Sequence, residues 1–272
     1  MNHIKKLALY LLCILTVALS SMPCSSAIAS VPRFAIALSE KFDSSQLKDF
    51  NIVYLGENHD NIEHHRAELE IIKNLEQENT SIAIALEMFQ RPFQPILDSY
   101  LAGDIDETEL RERTEYDKRW VFDWEYYAPI LRWARSRQIP LIALNTPSEI
   151  TRKVGEFGLN SLDGDDFRYI PPRADIDLSN IEYRQLLEEI YIQHGENDLG
   201  NSDRFENFLA AQILWDETMA EAIASYYQFH PQKQIVVLVG KGHIFYDYAI
   251  PNRVTRRIDR STLQQKSILL GN

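Results

Sequence analysis

The chain has 272 residues, 45 % of them hydrophobic, and a formal net charge of −12. This length can bury a substantial core, and it suits one α/β domain that carries additional helices. The acidic balance argues against nucleic acid and anionic lipid as partners, because both require a cationic surface on the protein. A small-molecule ligand is compatible with this charge.

The N-terminal segment, 1–29, has the pattern of a secretory signal peptide. Lys5 and Lys6 precede an apolar stretch over 7–19, and small residues follow it up to Ala29. The apolar stretch is about 13 residues long, whereas a membrane-spanning helix needs roughly 18 or more. We therefore predict cleavage after Ala29 and export to the periplasm or a comparable lumen. An uncleaved anchor is the alternative.

Both cysteines of the sequence, Cys13 and Cys24, precede the predicted cleavage site. The mature chain, 30–272, would then have no disulfide bond and no thiol for catalysis or metal binding. Acylation of Cys24 would instead make the protein a lipoprotein held at the membrane surface. Only in that case do we expect peripheral membrane association.

Short apolar runs in the first part of the chain predict buried strands. They lie at 51–55, 81–86 and 140–144, and are followed by Gly56-Glu57-Asn58-His59, Glu87 and Asn145, respectively. Helical patterns follow the first run, over 62–77, and the third, over 148–155.

A fourth apolar run, over 234–239, is followed by Gly240-Lys241-Gly242-His243, which repeats the Gly-x-x-His pattern of the first turn. Near-continuous apolar strands separated by helical stretches are typical of a parallel sheet covered on both faces. The predicted fold class is therefore α/β, with a mainly parallel sheet flanked by helices and a smaller helical subdomain. The core would cover about 50–253, with helical insertions at about 91–138 and 156–232.

Polar side chains follow all four predicted strands. In a parallel sheet the carboxyl ends of the strands share one edge, where ligands bind. We therefore expect a common cleft lined by Glu57, His59, Glu87, Asn145 and His243. The two histidines and the two acids could bind a divalent ion such as zinc or manganese, or a carboxylate could act as general base on water. Alternatively, the acids cap helices and the histidines only make hydrogen bonds.

Other basic and histidine side chains are predicted to be exposed. His64 and His65 lie near the start of the first predicted helix, and the spacing from His59 to His65 is not that of an i, i+4 metal pair. A basic cluster near the C-terminus consists of Arg253, Arg256, Arg257 and Arg260. A run of like charges is usually a solvated face, and the apolar segment 268–270 after it is either a last strand or a surface tail.

Several motifs occur along the chain in a fixed order: Tyr54-Leu55-Gly56-Glu57-Asn58-His59, Ala85-Leu86-Glu87-Met88-Phe89, Trp124-Glu125-Tyr126-Tyr127 before Pro129, Ile142-Ala143-Leu144-Asn145-Thr146-Pro147, Gly240-Lys241-Gly242-His243-Ile244-Phe245-Tyr246 and Ile250-Pro251-Asn252-Arg253. With these motifs the sequence resembles the ChaN-like haem-binding uptake proteins. They belong to the superfamily that also contains the Tiki, TraB and erythromycin esterase proteins. The resemblance extends from about Phe50 to Arg253.

This resemblance implies a parallel α/β domain with a smaller helical part, and binding of haem or iron outside the cytoplasm. In haem-binding relatives a tyrosine near the second turn is the more natural iron ligand, and Tyr246 occupies that place. Tyr248 is a competing ligand, with His243 and His59 as further haem-site residues. The segment Asp247-Tyr248-Ala249 departs from the glycine-rich sequence expected before Ile-Pro.

The hydrolytic relatives imply a second function, that of a metal-dependent hydrolase. The corresponding catalytic residues are Glu57, His59 and His243, to which the strand pattern adds Glu87. A third hypothesis retains the fold as a binding partner without either activity. We expect a haem-binding protein in haem or iron uptake or handling, with the hydrolase as the alternative. The oligomeric state, including a homodimer, stays open.

Overall fold

The computed structural model describes residues 44–78, 81–193, 202–258 and 263–271. The predicted signal peptide and Cys24 lie outside the described residues. Within the described ranges, no helix combines the length and the apolar character that crossing a bilayer requires.

The centre of the fold is a five-stranded sheet in which every described pairing is parallel. Its strands are β1 (Ile52–Glu57), β2 (Ile82–Gln90), β3 (Leu141–Asn145), β4 (Gln234–Gly240) and β5 (Gln265–Leu269). Their order across the sheet is β3-β2-β4-β1-β5, so β4 lies between β1 and β2 although it comes late in the sequence. Every residue of β1 to β4 is buried, as expected when both faces of a parallel sheet are covered.

Helices fill the connections between the strands. Those described are α1 (Ile62–Glu78), α2 (Gln94–Ala102), α3 (Glu107–Arg113), α4 (Tyr116–Arg119), α5 (Trp124–Arg137), α6 (Ser148–Phe157), α7 (Ile181–Gln193), α8 (Ser202–Phe229) and α9 (Ile250–Arg257). Helix α3 begins with a capping box, in which the side chains of Asp106 and Glu109 each accept a hydrogen bond from the other's backbone N–H. The Asp123 side chain accepts a hydrogen bond from the Glu125 N–H at the start of α5.

The four strands predicted from the apolar runs are all present, and the predicted fold class is confirmed. Strand β2 is longer than predicted and continues to Gln90, so Glu87 lies within the strand. The open question at 268–270 is resolved in favour of a strand, because Ile268 and Leu269 belong to β5, which pairs with β1. Most residues of β5 are only partly buried, as expected at the edge of a sheet.

The prediction that the arginine cluster is solvated is wrong for the arginines that the structure describes. Arg253, Arg256 and Arg257 lie on α9, and all three pair with the carboxylate of Glu217 on α8. Glu217 is fully buried, and Arg253 is only 2 % exposed. A buried carboxylate requires such compensation of its charge, and these ion pairs therefore join α9 to α8. Arg260 lies outside the described residues.

Helices pack against both the β3 part and the β1 part of the sheet. Helix α8 packs against β3, α6 and α9, while α1 packs against β1 and α5. The division into a core and a helical subdomain with insertions at 91–138 and 156–232 stays a prediction.

Candidate functional site

The two Gly-x-x-His turns lie side by side at the carboxyl edge of the sheet. Strands β1 and β4 are neighbours, and Glu57 is in register with Gly240. Strand β2 lies on the other side of β4, and the backbone N–H of Gly240 donates to Glu87 Oε2 at 2.7 Å. The strand order thus brings Glu57, His59, Glu87 and His243 together at one edge.

His59 is held between two carboxylates and two aromatic rings. Its Nδ1 lies 2.5 Å from Glu57 Oε1, and its Nε2 lies 3.9 Å from Glu87 Oε2. The ring centroids of Trp120 and Phe122 are each 4.9 Å from that of His59. A Cβ at Gly240 would lie 2.6 Å from His59 Nε2. The glycine of the second turn is therefore needed to make room for the histidine of the first.

His243 has a similar arrangement on the other side of Glu87. Its Nδ1 lies 2.6 Å from Asp216 Oδ1 on α8, and its Nε2 lies 3.4 Å from Glu87 Oε1. The hydroxyl of Tyr183 on α7 donates to Asp216 Oδ2 at 2.7 Å. Each histidine therefore has one carboxylate behind it, and both direct the other ring nitrogen toward Glu87.

Asn145 lies at the same edge, but its side chain forms hydrogen bonds with backbone groups. Its Nδ2 donates to the carbonyl oxygen of Glu87 at 2.9 Å, and its Oδ1 accepts from the Thr146 N–H at 2.8 Å. The first of these bonds ties β2 to the end of β3 and does not involve the Glu87 carboxylate, which faces the two histidines and the Gly240 N–H. Asn145 is thus placed as predicted, in a supporting position.

The charges in this cluster depend on one another. Burial alone would lower the pKa of His243, but the negative charge of Glu87 and the hydrogen bond with Asp216 raise it to about 10. Burial would raise the pKa of Glu87, yet the nearby charges of His243 and His59 lower it. His243 is therefore an imidazolium and Glu87 a carboxylate at neutral pH.

His65 and His64 are buried, and the prediction that both lie on the surface is wrong. They are 2 % and 3 % exposed. His65 Nδ1 faces Glu68 Oε2 at 3.1 Å, and its Nε2 lies 3.1 Å from the carbonyl oxygen of His59. His64 Nδ1 accepts a hydrogen bond from the Asn58 N–H at 2.8 Å. The physical reason is that α1 packs against β1, so its first turn covers the turn that contains His59.

Sequence reasoning also missed four other polar side chains: Tyr127, Asp216, Tyr183 and Glu68. Tyr127 on α5 donates to Glu57 Oε1 at 2.6 Å. A signal for Glu68 was present, because His65, Glu68, Ile72 and Leu75 recur at the spacing of one helix face. Asp216 likewise lies on the same face of α8 as its apolar neighbours, where a carboxylate is unusual and requires partners.

The predicted iron ligands lie in a surface turn after the second Gly-x-x-His motif. Tyr246 is 39 % exposed, whereas His59 and His243 are each 2 % exposed. The Tyr246 ring contacts Phe245 and Tyr248, with centroids 5.0 and 5.8 Å away. Tyr248 is half-buried, and its carbonyl oxygen accepts a hydrogen bond from Arg253 at 2.5 Å.

The backbone of this turn is unusual. Tyr246 and Asp247 have φ values of 55° and 58°, in the left-handed region that glycine adopts without strain. Two successive non-glycine residues in this region are held against their intrinsic preference. The Ser267 hydroxyl on β5 donates to Asp247 Oδ1 at 3.1 Å and helps to hold the turn. This is the position where the sequence departs from a glycine-rich pattern.

Comparison with known proteins gives a family match over most of the chain. The family model described as "Haem-binding uptake, Tiki superfamily, ChaN" matches residues 44–254. The structure of ChaN of Campylobacter jejuni, described as showing cofacial haem binding, is similar with a TM-score of 0.62 and 21 % identity, over 84 % of this chain and 83 % of that one.

Two other proteins are similar over most of this chain. An erythromycin esterase, EreC, in its open conformation aligns with a TM-score of 0.46 and 16 % identity, over 83 % of this chain and 71 % of that one. Protein RETICULATA-RELATED 5, chloroplastic, of Arabidopsis thaliana is 26 % identical over 248 residues, which are 84 % of this chain and 32 % of that protein. The chain thus spans about a third of the length of this plant relative.

Proposed function

Since the chain belongs to the ChaN haem-binding uptake family of the Tiki superfamily, we propose that it binds ferric haem with Tyr246 as the iron ligand. The observation that carries the proposal is the strained turn that presents this tyrosine to solvent. Backbone strain of this kind clusters at ligand-binding sites, where the surrounding structure stabilises it. Phenolate is a hard anionic donor suited to ferric iron.

The surroundings of Tyr246 fit a porphyrin better than those of the buried histidines. The aromatic rings of Phe245 and Tyr248 flank the phenol and offer apolar surface to the face of a haem. His243 and His59 are each 2 % exposed and already bonded at Nδ1 to a carboxylate. Tyr248 is therefore the second choice of iron ligand. The two histidines could bind iron only after a rearrangement that exposed their rings.

We place this activity outside the cytoplasm, in the uptake or handling of haem or iron. The support is the signal-peptide pattern of residues 1–29 and the uptake function named in the family description. Mass spectrometry of the exported protein should give an N-terminus at Ser30. An acylated Cys24 at the N-terminus would show a lipoprotein instead.

Haem titration of the purified mature protein tests the ligand assignment. The wild-type protein should give a Soret band and a high-spin ferric spectrum, and reduction should weaken binding because ferrous iron is a softer acid. Tyr246→Phe removes the donor oxygen and keeps the ring, so haem affinity should fall at least about tenfold. Tyr169→Phe is the matched control, since Tyr169 is 38 % exposed and lies in a different part of the chain.

Unchanged ferric spectra and affinities in Tyr246→Phe would exclude Tyr246 as the ligand. Loss of the high-spin spectrum in Tyr248→Phe, with Tyr246→Phe unaffected, would move the iron to Tyr248. An absence of any Soret band with the wild-type protein would reject haem binding at this turn.

A hydrolase is the second candidate, and the buried network favours it. Two histidines face the Glu87 carboxylate, and each is hydrogen-bonded to a further acid. The carboxylate can accept a proton from water as a general base, and the His243 imidazolium can donate one. Hydrolysis of ester or peptide substrates should then be lost in His59→Gln and His243→Gln but retained in Tyr246→Phe. Equal activity in all three variants would contradict this function.

A further inference from the structure

Three side chains behind the site form a separate cluster of possible metal ligands. Glu57, His65 and Glu68 each offer one ligand atom, and these three atoms all lie within 4.8 Å of one another. The three residues are 1 %, 2 % and 0 % exposed. Of the residues predicted from the sequence to bind metal, only Glu57 belongs to this cluster.

The distances within the cluster match those between ligands of one ion. His65 Nδ1 lies 3.1 Å from Glu68 Oε2 and 3.2 Å from Glu57 Oε2. For metal–nitrogen and metal–oxygen bonds of about 2.0–2.1 Å, two ligand atoms at a tetrahedral angle are about 3.3 Å apart. A transition-metal ion could therefore bind all three atoms after small side-chain movements.

The orientation of His65 also suits a ligand. Its Nε2 lies 3.1 Å from the carbonyl oxygen of His59, which can only accept a hydrogen bond, so Nε2 carries the hydrogen. Metal-bound histidines almost always donate their second ring N–H to a carbonyl or carboxylate in this way. Nδ1 then faces two carboxylate oxygens. A positive centre, either a proton or a metal ion, must lie between these three atoms.

Two carboxylate oxygens in the cluster are left without a donor. Glu57 Oε2 and Glu68 Oε1 are buried and accept no hydrogen bond of good geometry within the described residues. Glu57 Oε2 has an ion-pair contact with His65, and the Glu57 carboxylate also interacts with that of Glu68. A single proton on His65 Nδ1 cannot serve Glu57 Oε2, Glu68 Oε2 and Glu68 Oε1 at once. Either a second proton, held by Glu68, or a cation bound by both carboxylates would compensate all three oxygens.

We propose that Glu57, His65 and Glu68 bind a divalent transition-metal ion in the interior of the protein. One imidazole and two carboxylates suit Mn²⁺, Fe²⁺ or Zn²⁺. Glu57 Oε1 meanwhile bonds His59 Nδ1 and accepts from the Tyr127 hydroxyl. The ion would therefore fix the carboxylate that orients His59, without itself lying at the surface turn of Tyr246.

The test begins with the metal content of the full mature protein. Protein expressed with supplements of Mn²⁺, Zn²⁺ or Co²⁺ should retain about one equivalent of metal after gel filtration, because a buried ion exchanges slowly. The Co²⁺ form should show d–d absorption bands typical of nitrogen and oxygen ligation. Removal of the metal by prolonged chelation should lower the melting temperature, and its return should restore it.

Variants then assign the ion to this cluster. Glu68→Gln keeps the size of the side chain and removes its charge, and should lower metal affinity at least about tenfold. Glu70→Gln on the same helix is the control, since the Glu70 side chain is 66 % exposed. Should Glu68→Gln fail to fold, His65→Gln and the Co²⁺ spectrum of the wild-type protein give the same information.

Metal-free wild-type protein from all three supplemented cultures, with a melting temperature that does not respond to added metal, would overturn the proposal and leave protons on His65 and Glu68 in place of the ion. Equal metal affinity in Glu68→Gln and Glu70→Gln would also overturn it. Haem binding through Tyr246 is independent of both outcomes.

Discussion

Asp216→Asn should destabilise the protein in a manner that depends on pH. Asp216 is fully buried, and its carboxylate lies 2.6 Å from His243 Nδ1. A rise in the pKa of His243 from 6.5 to about 10 corresponds to roughly 5 kcal/mol of stabilisation of the charged form. Glu87 and Asp216 share this stabilisation. We therefore expect the loss of one carboxylate to cost about 2–3 kcal/mol in the free energy of unfolding near pH 6.

The sign of the pH dependence follows from the raised pKa of His243. Stability from this imidazolium is fully present below its unfolded pKa of 6.5 and is lost as the pH rises through about 10. Stability of the wild-type protein should therefore fall across this window. In Asp216→Asn the pKa of His243 should be lower, so the variant should lose most of its pH-dependent stability at a lower pH than the wild-type protein. The difference between the two proteins should shrink toward pH 10.

Urea unfolding followed by tryptophan fluorescence at several pH values measures this difference. Asp165→Asn serves as the control, because the Asp165 side chain is 88 % exposed, and it should change stability by less than about 0.5 kcal/mol. Equal stability of Asp216→Asn and the wild-type protein near pH 6 would refute the reasoning. So would a difference between them that stays constant across the pH window.

Three other substitutions test the packing around the site. Gly240→Ala should lower the free energy of unfolding by about 1–3 kcal/mol in calorimetry, because the new Cβ would lie 2.6 Å from His59 Nε2. Gly164→Ala is the control, since a Cβ at Gly164 would have nothing within 4 Å. Equal melting temperatures of the two variants would contradict the packing argument. Glu217→Gln should lower the free energy of unfolding in urea by about 3–5 kcal/mol, since it removes the carboxylate shared by three arginines. A change below about 1 kcal/mol would show that these ion pairs contribute little. Tyr127→Phe should cost about 1–2 kcal/mol in the same assay through the lost hydrogen bond to Glu57, and an unchanged stability would show that water or another donor replaces the hydroxyl.

Much of the sheet could be predicted from the sequence because its strands are buried on both faces. A short apolar run such as the one in Gln234–Gly240, bounded by polar turns, has the length of a buried strand, whereas a buried helix is usually longer. The parallel arrangement then fixed where the residues after each strand would lie, and the two histidine turns are indeed adjacent. The end of β2 was placed too early, because Glu87 reads as a boundary although the strand continues beyond it.

The rest of the site could not be predicted because its residues come from helices. The spacing of apolar residues predicts which face of a helix is buried. It does not predict which strand end a polar side chain on that face will contact. Asp216 and His65 reach the site only through the packing of α8 and α1 on the sheet. The arginines of α9 were misjudged for the same reason, since their partner Glu217 belongs to a distant helix.

The place of β4 in the sheet has a consequence for the order of folding. Strands β1 and β2 follow each other in the chain, but neither can complete its pairing until β4 inserts between them. Pairing between segments so distant in sequence raises the contact order, which slows folding. A chain whose synthesis has not reached β4 can pair β2 with β3, but β1 then lacks both of its neighbours, because β5 follows β4 in the sequence. The second histidine turn follows β4 directly, so the two histidine turns come together only when β4 has joined β1 and β2.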